Sequence, residues 1–525
     1  MNLNKQPMML ASAILSVAMS FGALAETKAA SVPVNGSTPF EVVDVEAIIK
    51  ALPKGERWIE HLKNDLLKFW DMKTALGNPV GNFPTYRCND GSLYNVKTPC
   101  PELKNADPGI VKLDREYIRA KSRQVFAYGI TYHLTGDEKY LGYSVAGGDW
   151  IINNALDAYG SASWFTNGKP LPSNLQRTSQ DMAYAVSGLG FLYYLTRDDK
   201  YLNAVIALKS HIFNTYFDSD WGLLRWVMEP NEDGDKVDQK ELVSQLDQVY
   251  GYLLWTTMAL PEGKLKTAWT ADLRYLATAM RDQFFGETYG LYWGAITSME
   301  SRNLANFKNK ENPHTDFGHS IKTLWLTYRV GLLTGDTGLV NFARPHMYSI
   351  IQRAYIEETG SWARGYKPVT AESKTWELDH NKEWWSLAEL DQTSATLALV
   401  DPIFARVLPR TYEYWFKYMV DHKHGGIWHM VNASTNQPDL AFPKQHSWKN
   451  AFHEFEHTLI GYVTSQQLHD EPVTLHYAFK QDVSDRDIHP YLYFGEVVQK
   501  DREKSFHAKA LSQYSRTKIQ FRSVR

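Results

Sequence analysis

Apolar residues recur at helical spacing through most of the chain, and two kinds of phrase punctuate them. The first ends one helix and starts the next: HLTGDEKYL at 133–141, YLTRDDKYL at 194–202 and LLTGDTGLV at 332–340. In each, an aspartate (Asp137, Asp198, Asp336) is placed to cap the helix that follows. The second sets a glycine before an aromatic or apolar pair, at Gly81, Gly160, Gly222, Gly290, Gly360 and Gly426. The last four of these glycines lie roughly 65 to 70 residues apart, the length of a helical hairpin plus a loop. Six such turns predict six hairpins, with helices over 45–70, 112–134, 139–157, 178–196, 199–216, 239–260, 266–284, 316–333, 338–357, 381–399, 402–420 and 449–467. Twelve helices in alternating order predict an all-α closed toroid. An open solenoid would need polar capping repeats, and the terminal segments are not of that kind. Strand-like patches such as LYWGAITS follow the glycine turns and are expected as short β-hairpins over the toroid mouth.

The N-terminus breaks the pattern. LASAILSVAMSFGALA is an apolar run ending in small residues, the form of a secretory signal peptide over 1–25. No second run approaches the ~20 apolar residues that a membrane span needs. The expectation is a periplasmic protein with no membrane contact after cleavage, a main domain over 26–470 and a C-terminal extension over 471–525. In that extension EPVTLHYAF reads as extended, and the basic residues that follow read as a solvated tail.

A net charge of -3 argues against nucleic acid as a partner. Many of the 17 Trp and 30 Tyr must lie in the core, but such a supply also suits stacking on sugar rings. Cys88 and Cys100, the only cysteines, sit in RCNDGSLYNVKTPC. In an oxidising compartment a disulfide closing that loop is expected, the alternative being two buried thiols.

Four constellations carry candidate chemistry. Arg123, in RAKSRQVFAYG, lies among apolar neighbours, where a guanidinium is costly unless it is paired or binds an oxygen-rich ligand. His319, in TDFGHSIKTLWL, stands with a glycine at the start of an otherwise buried helix. In NKEWWSLAELDQ, Glu389 follows Trp385 by one helical turn and shares its face. The fourth, WKNAFHEFEH, matches the zinc pentad H-E-x-x-H at His453 and His457, but the residues beyond it do not continue any zinc-protease pattern. No metal is predicted.

Taken in order, HLKNDLLKFWDMK, GNFPTYRCNDG, SRQVFAYG, DFGHSIKTLWL, KEWWSLAE, GGIW and WKNAFH resemble the N-acylglucosamine 2-epimerase superfamily over residues 57 to 465. That group includes cellobiose 2-epimerases and mannose isomerases. The resemblance implies an (α/α)6 barrel, a small carbohydrate substrate, and no metal or organic cofactor. It implies His319 and His453 as an acid/base pair acting on C2 of an opened sugar through an enediolate, since histidine titrates near operating pH. Arg123 would hold the oxygen at C1 or C2, and Trp384, Trp385 and Glu389 would shape and orient the ring.

Two positions depart from the family. Lys322 stands where epimerases carry a glutamate three residues after the first histidine, and Tyr250 where a third histidine is expected. A lysine there suits a histidine kept neutral, or an anionic group on the substrate. The same residues would also serve a polysaccharide lyase, which removes a C5 proton. Asp181 with Glu389 would serve a glycoside hydrolase on an acidic oligosaccharide, and a non-catalytic sugar binder needs neither. Oligomeric state is not legible.

Overall fold

The aspartates that follow helix ends act as caps. Asp137, Asp198 and Asp336 accept backbone hydrogen bonds from Lys139, Lys200 and Leu339 at 3.0, 3.1 and 3.2 Å. Each satisfies one of the donors that a helix start leaves unpaired. In the computed structural model the described residues are 44–525, except 171–176, 232–236, 238–239, 297–314, 369–375 and 504–505. The expected signal peptide lies outside them. No helix among the described residues is long and apolar enough to cross a membrane.

The protein is mostly helical. The helices are α1 (Val45–Ala51), α2 (55–70), α3 (Ile118–Thr135), α4 (Glu138–Asn154), α5 (Ser179–Thr196), α6 (Asp199–Tyr216), α7 (242–259), α8 (Lys264–Phe284), α9 (Phe317–Thr334), α10 (Thr337–Ala354), α11 (Trp384–Ala398), α12 (402–419) and α13 (Phe452–Leu468). The expected single helix over 45–70 is two, because Pro53 holds Leu52 in an extended conformation and breaks the run. Within α7 a π turn covers Val249–Leu253. Such turns are rare and occur often at functional sites.

Burial alternates along the series. Helices α3, α5, α7, α9, α11 and α13 are buried on almost every face, whereas α4, α6, α8 and α10 bury one stripe. A surface helix shows such a stripe, and a helix enclosed by others does not. Helix α3 packs on α4 and α5, α5 on α6 and α7, α9 on α10 and α11, and α11 on α13. Helix α13 then packs on α3 and α2, so the last helix meets the first ones.

The recurring glycines make tight hairpins after the half-exposed helices. Leu156–Asp157 pairs with Gly160–Ser161, Phe217–Asp218 with Leu223–Leu224, Phe285–Gly286 with Leu291–Tyr292, and Tyr355–Ile356 with Ser361–Trp362. Gly160, Gly222, Gly290 and Gly360 take φ values of 93°, 63°, 58° and 61°, a region a side chain disfavours. In the LYWGAITS patch, Ala295–Ile296 pairs with Lys240–Glu241, and the last two residues lie outside the described set.

EPVTLHYAF is extended, as expected, but the residues that follow it are not a loose tail. Strands β1 (Val473–Phe479), β2 (Glu496–Glu503) and β3 (Ser515–Arg522) form an antiparallel sheet in the order β1-β3-β2. The stretch expected as a solvated tail supplies the central strand. Its basic residues conceal an alternation in which Thr517, Ile519 and Phe521 are buried between outward-facing polar ones. Cys88 and Cys100 form a disulfide, with Cα atoms 6.0 Å apart.

Candidate active site

Helix α9 starts on Asp316, whose extended backbone and short carboxylate suit an N-cap. Its Oδ1 accepts the backbone N–H of His319 at 2.7 Å, and its Oδ2 lies 2.8 Å from His319 Nδ1. One carboxylate thus fixes the helix start and the imidazole together. Because a carboxylate only accepts, Nδ1 carries the proton and the lone pair lies on Nε2.

The glycine beside His319 has a steric cause. A Cβ on Gly318 would lie 2.5 Å from two ring carbons of Trp385 and 2.9 Å from Ser386 Oγ. Without it, the Trp385 indole lies against the start of α9. Its ring centroid is 4.5 Å from that of His319 and 6.1 Å from that of His453. The two histidines, from α9 and α13, therefore flank one half-buried tryptophan from α11.

His453 is 6% exposed, and its Nδ1 lies 3.2 Å from Glu389 Oε1 and 3.4 Å from the Tyr250 hydroxyl. Burial pushes its pKa well below the usual histidine range, and the charges of Arg123, Lys322, His319 and Lys449 push it further. Burial, then the neighbouring Glu456, hold Glu389 well above the ordinary carboxylate range. The His453–Glu389 contact is a hydrogen bond between neutral groups, not an ion pair. Tyr250 Oη lies 3.1 Å from Glu389 Oε1 and donates to Glu456 Oε2. Gln392 Nε2 donates to Glu389 Oε2 at 3.3 Å, and Tyr491 Oη to Glu456 Oε1 at 2.5 Å.

Glu389, His453 and Glu456 each bring a potential ligand atom within 4.8 Å of the others, the layout of a small cation site. The carboxylate oxygens, however, already accept from Tyr250, Tyr491 and Gln392, which suits protons better than a metal ion. The zinc-like pentad does not converge. His457 Nε2 pairs with Asp391 Oδ2 at 3.1 Å, while Glu454 accepts from Trp70 Nε1 and from Lys449 Nζ at 3.3 Å.

Arg123 lies in α3, 4% exposed, with its Cζ 3.8 Å from the centre of the Tyr184 ring and 4.9 Å from that of Phe452. Its Nε has no hydrogen-bond partner among the described residues. A buried guanidinium held by ring faces and lacking a hydrogen bond there is strained toward any oxygen that enters. Lys322 differs. Its Nζ donates to Asp247 Oδ1 at 3.1 Å and sits 3.6 Å from the centre of the Tyr250 ring. Asp247 also accepts from Gln180 at 2.6 Å and Tyr184 at 2.8 Å. Burial raises the Asp247 pKa, yet the Lys322 cation and these donors more than reverse it.

Several expected ring contacts stand behind the site. Tyr250 and Glu389 are 0% exposed, and both lie against His453 Nδ1. Trp384, 4% exposed, packs on His429 at 4.6 Å between centroids, with Lys449 Nζ 5.1 Å from its own ring. Trp385 is the tryptophan that both histidines reach. Asp181, half of the expected carboxylate pair, is held by Arg119 at 2.7 Å and by Thr178. Sequence reasoning missed Asp316, Asp247, Glu456 and Tyr491. Asp316 was signalled by its cap position three residues before His319, and Glu456 by its place one turn after His453.

No family model and no curated protein matches the chain. Solved structures do. A cellobiose 2-epimerase from Bacillus thermoamylovorans B4167 is 17% identical, with a TM-score of 0.63 over 78% of this chain and 98% of that one. A cellobiose 2-epimerase from Spirochaeta thermophila DSM 6192 is 16% identical, with a TM-score of 0.62 over 81% and 98%. A D-mannose isomerase is 14% identical, with a TM-score of 0.57 over 82% and 99%. At such identities the likeness establishes one thing: this chain shares the fold of these sugar epimerases and this isomerase.

Proposed function

We propose that the protein is a sugar 2-epimerase or aldose–ketose isomerase acting on an unphosphorylated carbohydrate, exported by its N-terminal segment and built as a closed (α/α)6 barrel. The observation that carries this reading is the pair of histidines from different helices flanking Trp385, with the Arg123 guanidinium close enough to His453 to depress its pKa. In the opened sugar, the C1 carbonyl makes the C2 proton acidic. His319, its Nδ1–H held by Asp316, offers the Nε2 lone pair as the base. Arg123 stabilises the enediolate oxygen, and the low-dielectric surroundings strengthen that interaction. His453 delivers its Nε2 proton to carbon as Nδ1 takes the proton of the Glu389 carboxyl, so the ring acts as the acid without becoming an imidazolate. Protonation at C2 gives the epimer and at C1 the ketose. The Lys322 charge is paired with Asp247, which favours a neutral sugar over an acidic one.

The test is proton NMR in heavy water with a panel of aldoses and disaccharides. Loss of the C2 proton signal without cleavage of a glycosidic bond is expected. A new ultraviolet absorbance from an unsaturated uronate would establish a lyase, and release of reducing ends without it a hydrolase. Exchange that survives in both His319→Ala and His453→Ala would refute the assignment.

A further inference from the structure

Residues 489–494, from the C-terminal extension, reach into the helical body and are tied to four of its enclosed helices. The Tyr194 hydroxyl of α5 donates to His489 O at 2.7 Å and accepts the Tyr491 backbone N–H at 2.8 Å. Arg329 of α9 donates to Leu492 O, and Thr396 of α11 meets the Tyr493 hydroxyl at 2.8 Å. Tyr491 then donates to Glu456 of α13 at 2.5 Å. Tyr491 is 0% exposed and sits at φ 61°, a left-handed backbone conformation that a bulky residue adopts only where the surroundings impose it. Its ring packs against Trp255 at 5.9 Å and Phe191 at 6.2 Å.

Proton counting gives this placement a consequence. Two phenols donate to Glu456, one to each oxygen, so Glu456 is the member of the carboxylate pair that keeps the charge. The proton the pair shares then rests on Glu389, whose Oε1 faces His453 Nδ1 at 3.2 Å. A protonated carboxyl donating to Nδ1 leaves the imidazole proton on Nε2, the nitrogen offered to the substrate. We propose that Tyr491, delivered by the C-terminal extension, is a positioning residue that acts through Glu456 and Glu389 to hold His453 in its proton-donating tautomer. The role as acid rests on the function proposed above; the tautomer does not.

Other groups face this chain. Tyr250, Gln392 and Tyr493 surround Glu456, while Arg123, Lys322 with Asp247, His319 and Lys449 act on His453. Gln392 also makes a side-chain hydrogen bond to Glu456, and Tyr491 is the phenol that donates to Oε1.

Tyr491→Phe keeps the ring and its packing and removes one hydroxyl. The shared proton can then move to Glu456, Glu389 becomes an anionic acceptor, and the His453 proton moves to Nδ1. Nitrogen-15 NMR of the histidines reads this in the substrate-free protein, with the His453 signals assigned by their loss in His453→Asn. The expected result is an exchange of the protonated and unprotonated nitrogen signals, a fall in kcat of about tenfold or more with KM little changed, and a displaced pH profile. Glu456→Gln should produce the same exchange and decides the matter if Tyr491→Phe does not fold. Unchanged His453 signals in the folded variant would overturn the proposal, whatever the activity. Moved signals in a protein inactive on every sugar tested would support the Tyr491 linkage and refute the isomerase reading.

Discussion

Asp316→Asn separates the two tasks of one carboxylate. Asparagine caps helices about as well as aspartate, and its Oδ1 can keep the 2.7 Å bond to the His319 backbone. The second oxygen, 2.8 Å from His319 Nδ1, is replaced by an NH2 group that can only donate. Nδ1 must then accept, the proton moves to Nε2, and the lone pair that removes the substrate proton is lost. The imidazolium formed during turnover also loses its counter-charge. A hydrogen bond to a charged group contributes about 1.5–3 kcal/mol, which is roughly 10- to 100-fold in rate. A wrong tautomer in a histidine–aspartate pair can cost up to about 10⁴-fold. The expected outcome is loss of C2 proton exchange by about 100-fold or more, with thermal stability within about 1 kcal/mol of the parent. Asp316→Ala, which loses the cap as well, should be less stable by a further ~1 kcal/mol. Deuterium exchange and thermal unfolding on the same preparations provide both readouts. Asp316→Asn with activity within threefold of the parent would show that His319 is not oriented by this carboxylate, and the base assignment would fall with it.

Arg123→Met should abolish turnover yet raise the unfolding free energy by about 1–2 kcal/mol, because a buried guanidinium whose Nε has no hydrogen-bond partner among the described residues disfavours the fold; a large loss of stability would mean that Arg123 is structural. Gly318→Ala should displace the Trp385 indole and lower kcat/KM by about tenfold, while Gly318→Ser should do more harm; unchanged kinetics in both would remove Trp385 from the substrate site. Acid should destabilise the fold through His61, His476 and His489, each lowered by burial to about 4. Their contribution is complete above the unfolded value of 6.5 and is lost as pH falls towards 4, because the unfolded chain binds protons first. Each group contributes a slope of about 1.4 kcal/mol per pH unit in that window, so a melting temperature that stays flat from pH 6.5 to 4.5 would contradict this.

Most helices were legible because they are long and periodic, and several are bounded by a capping aspartate or a glycine turn. What hydrophobic period cannot show is an interruption of period. The π turn at Val249–Leu253 inserts a residue into α7 without any polar signal, and it re-aims Tyr250 toward Glu389 and Glu456. Tyr250, expected as a substrate contact, lies against Glu389, Glu456 and His453. The C-terminal sheet was illegible for a related reason: lysines and arginines on the outward positions of β3 dominate its composition, and only the alternate Thr517, Ile519 and Phe521 reveal a buried strand.

The same distinction separates the parts of the site that sequence could place from those it could not. His319, His453 and Arg123 are single residues whose cost in a core announces them. Whether a histidine serves as base or acid depends on which nitrogen its partner occupies, and partners come from anywhere in the chain: Asp316 from three residues before, Glu389 from 64 residues before, and Tyr491, through Glu456, from the C-terminal extension. Lys322 illustrates the consequence. Asp316 provides the carboxylate beside His319, while Lys322 neutralises Asp247 and helps to keep His453 uncharged. The two changes compensate only as a pair. Asp316→Asn should therefore be far more damaging here than in an epimerase that carries the glutamate, and introducing Lys322→Glu into the Asp316→Asn background should restore part of the lost exchange. If it restores none, the two carboxylate positions are not equivalent.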